Sequence, residues 1–225
     1  MIVAGHQADL LPYSGFWHKM AKADLFDLKI FDHFQPRGYQ RRAMMRGRWT
    51  SLPVIGSPTD SLICDVRILP VQTRDVLTGL IVDRYEDSKY WPKYGPHILN
   101  MINEIHTEHL WQFNFQLILG IRELLDIKTP ISIARPPVGR GETGLASIMK
   151  QYHATTYLSG TGGRAYRSDC EEFRDAGIDI AWSTHQPVTG DSILSVLMDY
   201  DDPMAVVMSE QPVRVGNAIR QDLPT

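Results

Sequence analysis

Residues 1–45 are MIVAGHQADLLPYSGFWHKMAKADLFDLKIFDHFQPRGYQRRAMM, and the pattern of this stretch decides the fold. An apolar run over residues 1–4 predicts a strand, and a polar turn follows it. Helical periodicity over about 12–23 predicts a helix, and residues 25–31 predict a second strand. The three elements form a β-α-β unit, whose two strands pack in parallel.

Polar residues follow both predicted strands. His6 and Gln7 come after the first, and Asp32 and His33 come after the second. Because parallel strands end at the same edge of a sheet, we expect these four side chains to face one another across a crevice.

The predicted helix is amphipathic. Its apolar face contains Leu11, Phe16, Met20 and Ala23. His18, Lys19 and Lys22 are expected elsewhere on its surface, and His18 is a candidate substrate-binding residue. The helix start directs free N–H groups and partial positive charge towards a ligand bound near His6.

The rest of the chain predicts a mixed, mostly parallel α/β sheet flanked by helices, with a small antiparallel addition and a helical middle section. Alternating segments at 49–54 and 61–68 predict the antiparallel pair, and helical periodicity covers about 71–127 with breaks near Pro92 and Pro96. Strands are predicted at 131–134, 155–158 and 178–182, separated by helices at 145–152 and 171–175. We expect one domain, 1–225, with a helical insertion at about 71–127.

Composition restricts the partners. A net charge of −3 and a pI near 6.2 give no overall electrostatic reason for binding nucleic acid. Two cysteines are too few for a disulfide framework, and neither a leader nor an apolar run of membrane-spanning length is present. We therefore expect a cytoplasmic protein without membrane partners. No metal site is predicted, since His106 and His109 come closest to ligand spacing and fit a solvated helix face better.

A cationic and aromatic segment follows the second strand. Its candidate substrate-binding residues are Gln35, Arg37, Tyr39, Arg41 and Arg42. Pro36 and Gly38 predict a loop over the carboxyl edge of the sheet. Arginine forks bind phosphate bidentately, so a phosphorylated or phosphopantetheinyl ligand is one interpretation, and ordinary surface ion pairs are the other.

Two further groups of candidates lie later in the chain. YLSGTGGRAY contains Ser159, Gly160, Arg164 and Tyr166 after a predicted strand, and His185 follows another strand. The glycine run allows backbone N–H groups to approach an anion, although it is neither GxGxxG nor a Walker A sequence. A tight turn is the alternative.

Cys64 lies within the predicted strand at 61–68, on the same face as Leu62. A buried thiol that acts as a small hydrophobe is one interpretation, and a thiolate nucleophile is the other.

Several segments together resemble the WbqC-like proteins. They are GHQADLLPYSGFWHKMAKADLF, IFDHFQ, YQRR, WTSLPV, YLSGTGGRAY, FRDAGI and SILSVL. The family pattern has the same order, running HQPxYLPxxGxFxKxxxADxFVxxDxVQ, W-x-N-R-N, W-L-T-x-P-V, YLSG and S-I-L-D. The chain differs at Asp9-Leu10, at Arg41 and Ala43 in place of asparagines, and at Ser195 in place of aspartate.

The resemblance implies a group transfer, commonly of an acyl or aminoacyl group to an amino group, in the synthesis of surface polysaccharides or specialised metabolites. An amide-forming enzyme of lincosamide antibiotic assembly is similar in kind. On this hypothesis the enzyme binds no cofactor of its own. The donor is a phosphopantetheine thioester on an acyl or peptidyl carrier protein, and the acceptor is a small-molecule amine such as an amino sugar.

The chemistry assigns roles to the candidates. The expected base is His6 or His33, with Asp32 holding the imidazole. Gln7 and a backbone N–H of the first helix are expected to bind the oxyanion. The phosphate is expected to lie nearest Arg37, Arg41 and Arg42. A variant of the mechanism passes the acyl group through Cys64.

Two other functions are consistent with the sequence. A transferase acting on a nucleotide-linked sugar would bind the diphosphate with SGTGGR and the arginine loop. A non-catalytic binding subunit would use its histidines only as core or turn residues.

Overall fold

A computed structural model describes residues 1–56, 59–163, 170–210, 213–215 and 218–220. The strands are β1 (Ile2–Gln7), β2 (Leu25–Lys29), β3 (Arg42–Met45), β4 (Arg48–Ser51), β5 (Ile131–Ser132), β6 (Thr156–Ser159), β7 (Asp179–Trp182), β8 (Val213–Val215) and β9 (Ala218–Arg220). The helices are α1 (Ser14–Ala21), α2 (Pro70–Tyr85), α3 (Trp91–Glu104), α4 (Leu110–Leu124), α5 (Gly141–Gln151), α6 (Glu171–Asp175), α7 (Ile193–Asp199) and α8 (Pro203–Val207).

Five strands form one parallel sheet in the order β5-β2-β1-β6-β7. The predicted α/β class, with its parallel sheet and flanking helices, is confirmed. β1 is longer than predicted, so His6 and Gln7 are its last two residues and not part of a turn. The chain leaves β1 for β2 on one side and later adds β6 on the other, which makes β1 the switch point where open α/β sheets bind ligands.

Helices cover both faces of the sheet. One face packs its apolar side chains, among them Ala4 and Phe26, into a large core that also contains α1 and the three helices of the middle section. The opposite face carries Val3 and Tyr157 into a smaller core formed with α5 and α6. The predicted helical section is confirmed, although Pro96 lies inside α3 and does not interrupt it. The prediction of one domain remains a prediction.

α1 differs from its prediction in one respect that affects the site. His18 and Lys19 were expected on a polar surface, but both are buried, with exposed fractions of 1% and 6%. The C-terminal residues 204–210 and the carboxyl edge of the sheet enclose this side of the helix, which periodicity alone does not reveal.

The antiparallel pair is not the one that was predicted. β3 and β4 form it, joined by Arg46 and Gly47 at φ angles of 48° and 71°, as a two-residue hairpin turn with two positive φ values requires. Residues 61–68 contain a short 3₁₀ turn at Ile63–Asp65 where a strand was predicted. Their backbone binds the segment after β2 through isolated bonds, such as Cys64 N–H to Ile30 O, so the apolar alternation there does not form a ladder.

No helix among the described residues is long and apolar enough to cross a membrane.

Candidate functional site

A cavity of about 440 Å³ opens at the carboxyl edge of the sheet, and we call it the central cavity. Its walls are the ends of β1 and β2, the segments after β6 and β7, and residues of α1. His6, Gln7, Asp32 and His185 all line it. The parallel arrangement therefore brings together four of the predicted residues, as expected for strand ends at a switch point.

His6 has a different carboxylate partner from the predicted one. Its Nδ1 lies 3.2 Å from Oδ2 of Asp9, and the Asp9 side chain is only 6% exposed. The imidazole also packs edge-on against Phe16, with 5.3 Å between ring centroids. This contact is at ion-pair distance but lacks hydrogen-bond geometry, since Nδ1 has no hydrogen-bond partner among the described residues. A carboxylate beside Nδ1 favours a proton on that nitrogen, which leaves Nε2 as the proton acceptor. The expected pairing of His6 with Asp32 was wrong because the chain after β1 turns back and returns Asp9 to the histidine.

Asp32 instead accepts a hydrogen bond from Gln7. Gln7 Nε2 donates to Asp32 Oδ2 over 2.9 Å, and Gln7 Oε1 accepts a hydrogen bond from Gln40 Nε2. These two bonds fix the amide plane at the cavity wall. One hydrogen of Nε2 is used by Asp32, and the amide has a second hydrogen to donate to a ligand.

Two lysines that were not predicted as site residues also line the central cavity. Lys19 donates from Nζ to the carbonyl of Gly5 over 3.1 Å. Lys29 crosses directly over Gly5, where a Cβ would lie 3.1 Å from its Cε, and it approaches the Tyr157 ring at 5.8 Å. The cavity therefore has a cationic wall, and glycine in β1 is what allows the lysine to lie there.

A buried hydrogen-bond network adjoins the cavity behind His185. Ser14 Oγ lies 2.8 Å from His185 Nε2, and His185 Nδ1 lies 3.0 Å from the carbonyl of Ser209. His18 is 5.1 Å from His185 between ring centroids and contacts Glu210 at 3.0 Å. Burial lowers the pKa of both histidines. His18, predicted to bind substrate, thus supports the cavity wall from behind.

His33 does not line the central cavity. It lies in an adjoining cavity of about 530 Å³, which we call the lateral cavity, between the segment after β2 and the start of α5. Lys29 and Asp32 line both cavities. The residues expected at one crevice are therefore divided between two spaces that share a wall.

The arginine segment lies outside both cavities. Arg37 is exposed, while Arg42 donates to the Arg37 carbonyl over 3.0 Å and stacks on Trp49 at 4.3 Å. Arg41 is partly buried, and burial together with the charge of Arg42 lowers its pKa. Tyr39 packs on Trp49, and its carbonyl accepts a bond from the backbone N–H of Leu10. This segment, which includes the exposed Gln35, is therefore anchored beside the chain that carries Asp9.

Cys64 lines neither cavity. Its thiol lies 3.7 Å from Asp65 Oδ1, and burial, with a smaller contribution from Asp65, raises its pKa. A raised pKa reduces the thiolate fraction, which is the nucleophilic form. The structure therefore favours a structural role for this residue.

The glycine turn after β6 lines the central cavity. Gly160 begins the segment and Thr161–Gly163 forms one 3₁₀ turn, while Ser159 is buried just before it. Arg164 and Tyr166, both predicted to bind substrate, lie outside the described residues.

Of the site residues that were not predicted, Lys19 alone could have been found from the sequence, because the family pattern has a lysine at this position. Asp9 and Lys29 had none, since their roles depend on a turn and on a side chain crossing a neighbouring strand. Among the described residues, no group of three or more His, Cys, Asp or Glu side chains is placed to hold a metal ion.

Comparison with known proteins gives one match. The profile of the WbqC-like protein family matches residues 7–189. Of the residues that line the central cavity, Gly5 and His6 lie just before this span. No curated protein and no solved structure gives a significant match. Because the family match covers most of the sequence, this chain belongs to the WbqC-like protein family.

Proposed function

We propose that the protein transfers an acyl or aminoacyl group from the phosphopantetheine thioester of a carrier protein to an amine and thereby forms an amide. The observation that carries the proposal is the central cavity, where a histidine next to the Asp9 carboxylate faces a cationic wall. Amide formation from a thioester needs a proton acceptor for the attacking nitrogen and positive charge or N–H donors for the oxyanion.

The steps follow from these positions. The amine nitrogen attacks the thioester carbon, and His6 Nε2 takes the proton that the nitrogen loses. Lys19, Lys29 and the Gln7 amide stabilise the oxyanion. The C–S bond then breaks, and the imidazolium returns its proton to the thiolate. The products are the amide and the carrier thiol, and no further activation is needed because the thioester is already activated.

The surface beside the cavity fits the carrier. Arg37, Arg41 and Arg42 form a cationic patch next to the exposed aromatic side chains of Tyr39 and Trp49. A phosphopantetheine arm separates its phosphate from its thioester, so the phosphate binds at the surface while the thioester enters the cavity. This placement agrees with arginines that lie outside the cavity. A carrier for an antibiotic of the lincosamide type is one candidate donor.

The decisive experiment is intact-mass analysis of the protein with loaded carrier proteins and candidate amines. We expect an amide product without added ATP. His6→Ala should reduce turnover at least about a hundredfold, the scale of general-base catalysis, and Asp9→Asn should reduce it in the same direction. Unchanged turnover in both variants would refute the assignment.

The carrier surface has its own test. Arg37→Glu combined with Arg42→Glu should raise KM for the loaded carrier but not for a free pantetheine thioester. Lys93→Glu reverses an exposed charge on α3 and serves as the matched control. Equal effects on both donors would show that the patch does not bind the carrier.

The cationic wall and glycine turn of the central cavity also suit a diphosphate, which supports a transferase for nucleotide-linked sugars as the second candidate. A sugar nucleotide that raises the melting temperature, with no effect of a loaded carrier, would favour that function.

A further inference from the structure

The lateral cavity has a volume in the range of small-molecule sites and no assigned role. It meets the central cavity at Lys29 and Asp32, which line both. A ligand in the lateral cavity therefore lies directly across this shared wall from a ligand in the central cavity.

The lining of the lateral cavity combines an apolar wall with acidic and basic side chains. Phe31, Leu62 and Leu145 contribute apolar surface. Asp32 and Glu142 contribute the acidic groups, and Lys29, His33 and Arg140 contribute the basic groups. Apolar walls with a few placed polar groups are typical of sites that bind small organic molecules.

A small recess of about 10 Å³ adjoins this cavity, sharing Lys29, Asp32 and other lining residues with it. Asp27 lines the recess and is 1% exposed. Its Oδ1 accepts from Tyr152 Oη over 2.8 Å and from the Ala134 N–H over 3.2 Å. Its Oδ2 has no hydrogen-bond partner among the described residues. A buried carboxylate oxygen without a donor is costly, and a bound donor would satisfy it.

We propose that the lateral cavity binds the amine substrate, with the ammonium group between Asp27 and Asp32 and the apolar body against the opposite wall. The recess has room for a group about the size of a water molecule, which an ammonium group matches. The assignment of this ligand as the acceptor rests on the proposed function. To act as the acceptor, the bound ammonium must first lose one proton to solvent and the neutral amine must pass Asp32 into the central cavity, where His6 takes the second proton during attack.

The test measures binding with two probes of matched shape, benzylamine and benzyl alcohol, by thermal shift and calorimetry without any thioester. Benzylamine should stabilise the wild-type protein and benzyl alcohol should not. Asp32→Asn should weaken benzylamine binding at least about tenfold, as the loss of a charge-assisted hydrogen bond predicts. Asp27→Asn should weaken it in the same direction. Asp75→Asn changes an exposed carboxylate on α2 and should leave binding unchanged.

A blocking variant locates the site independently of charge. Leu62→Trp fills the lateral cavity from a partly exposed position and should abolish benzylamine binding while the protein remains folded by circular dichroism. The proposal is overturned if benzylamine fails to stabilise the wild type, if benzyl alcohol binds equally well, or if Asp32→Asn and Leu62→Trp bind benzylamine normally.

The outcomes separate this proposal from the proposed function. Amine-selective binding that depends on Asp32, without any carrier-dependent turnover, would refute acyl transfer and support the amine site. Carrier-dependent turnover without amine binding in the lateral cavity would support acyl transfer and refute the amine site.

Discussion

Mild acidification should destabilise the fold through two buried histidines, His18 and His185. Their exposed fractions are 1% and 7%, and burial holds the pKa of each below its ordinary value. The native state therefore binds fewer protons than the unfolded state, in which histidine titrates near about 6.5. Unfolding takes up protons in this range, so the free energy of unfolding is fully retained above about pH 6.5 and falls as the pH drops towards the lowered pKa values.

The structure sets the size of the effect. Each histidine contributes a slope of at most about 1.4 kcal/mol per pH unit, so the pair contributes at most about 2.7 kcal/mol per pH unit. Glu210 contacts His18, and its pKa is lowered, chiefly by Lys22. A glutamate with a lowered pKa stops stabilising the native state only below about pH 4.3, its pKa in the unfolded state. Glu210 therefore does not affect the slope between about pH 7.5 and about pH 5.5.

Urea unfolding between about pH 7.5 and about pH 5.5 at constant ionic strength measures this slope. The double variant His18→Gln, His185→Gln should lose most of it, and each single variant should lose part of it. His97→Gln removes an exposed histidine of α3 and should retain the wild-type slope. If the single and double variants all showed the wild-type pH dependence, the two buried imidazoles would not be its source.

Three further predictions concern stability and reactivity. Arg46→Ala should lower the free energy of unfolding by about 1–3 kcal/mol, because the guanidinium bonds to two aspartates and Ser88. The exposed Arg37→Ala should cost under about 0.5 kcal/mol, and equal losses in urea unfolding would contradict this contrast. Gly47→Ala should cost about 1 kcal/mol from its φ of 71° alone, since nothing lies within 4 Å of the added Cβ, and an unchanged urea midpoint would disprove the strain. Cys64→Ala should keep full turnover, and the native thiol should react more slowly with iodoacetamide than the unfolded one. Lost turnover would restore the covalent mechanism.

The order of the elements, and the edge of the sheet at which the site lies, were predictable from local patterns. Apolar runs and helical periodicity located the parallel strands and the helical middle section but not the division of that section into three helices, because burial on a sheet or along a helix face produces a periodic pattern of apolar residues. The topology rule for parallel strands then placed Gln7 and Asp32 within bonding distance. The antiparallel pair was misplaced, since the alternation at 61–68 resembles a strand and the positive φ values of the Arg46-Gly47 turn are not visible in a pattern of hydrophobicity.

The partners within the site depended on tertiary structure. Asp9 reaches His6 because the chain turns back after β1, and Lys29 reaches the cavity by crossing a glycine of the adjacent strand. Arg46 binds two acidic side chains that are distant along the chain, which its position in the sequence does not reveal.

The sequence by itself determined the fold class, the family and the edge of the sheet where polar groups gather, because each is encoded in residues close together in the chain. Only the tertiary structure decided which carboxylate lies beside His6, which cations face the cavity and that two cavities share one wall. These contacts depend on the packing of side chains from separate elements, and no local pattern specifies that packing.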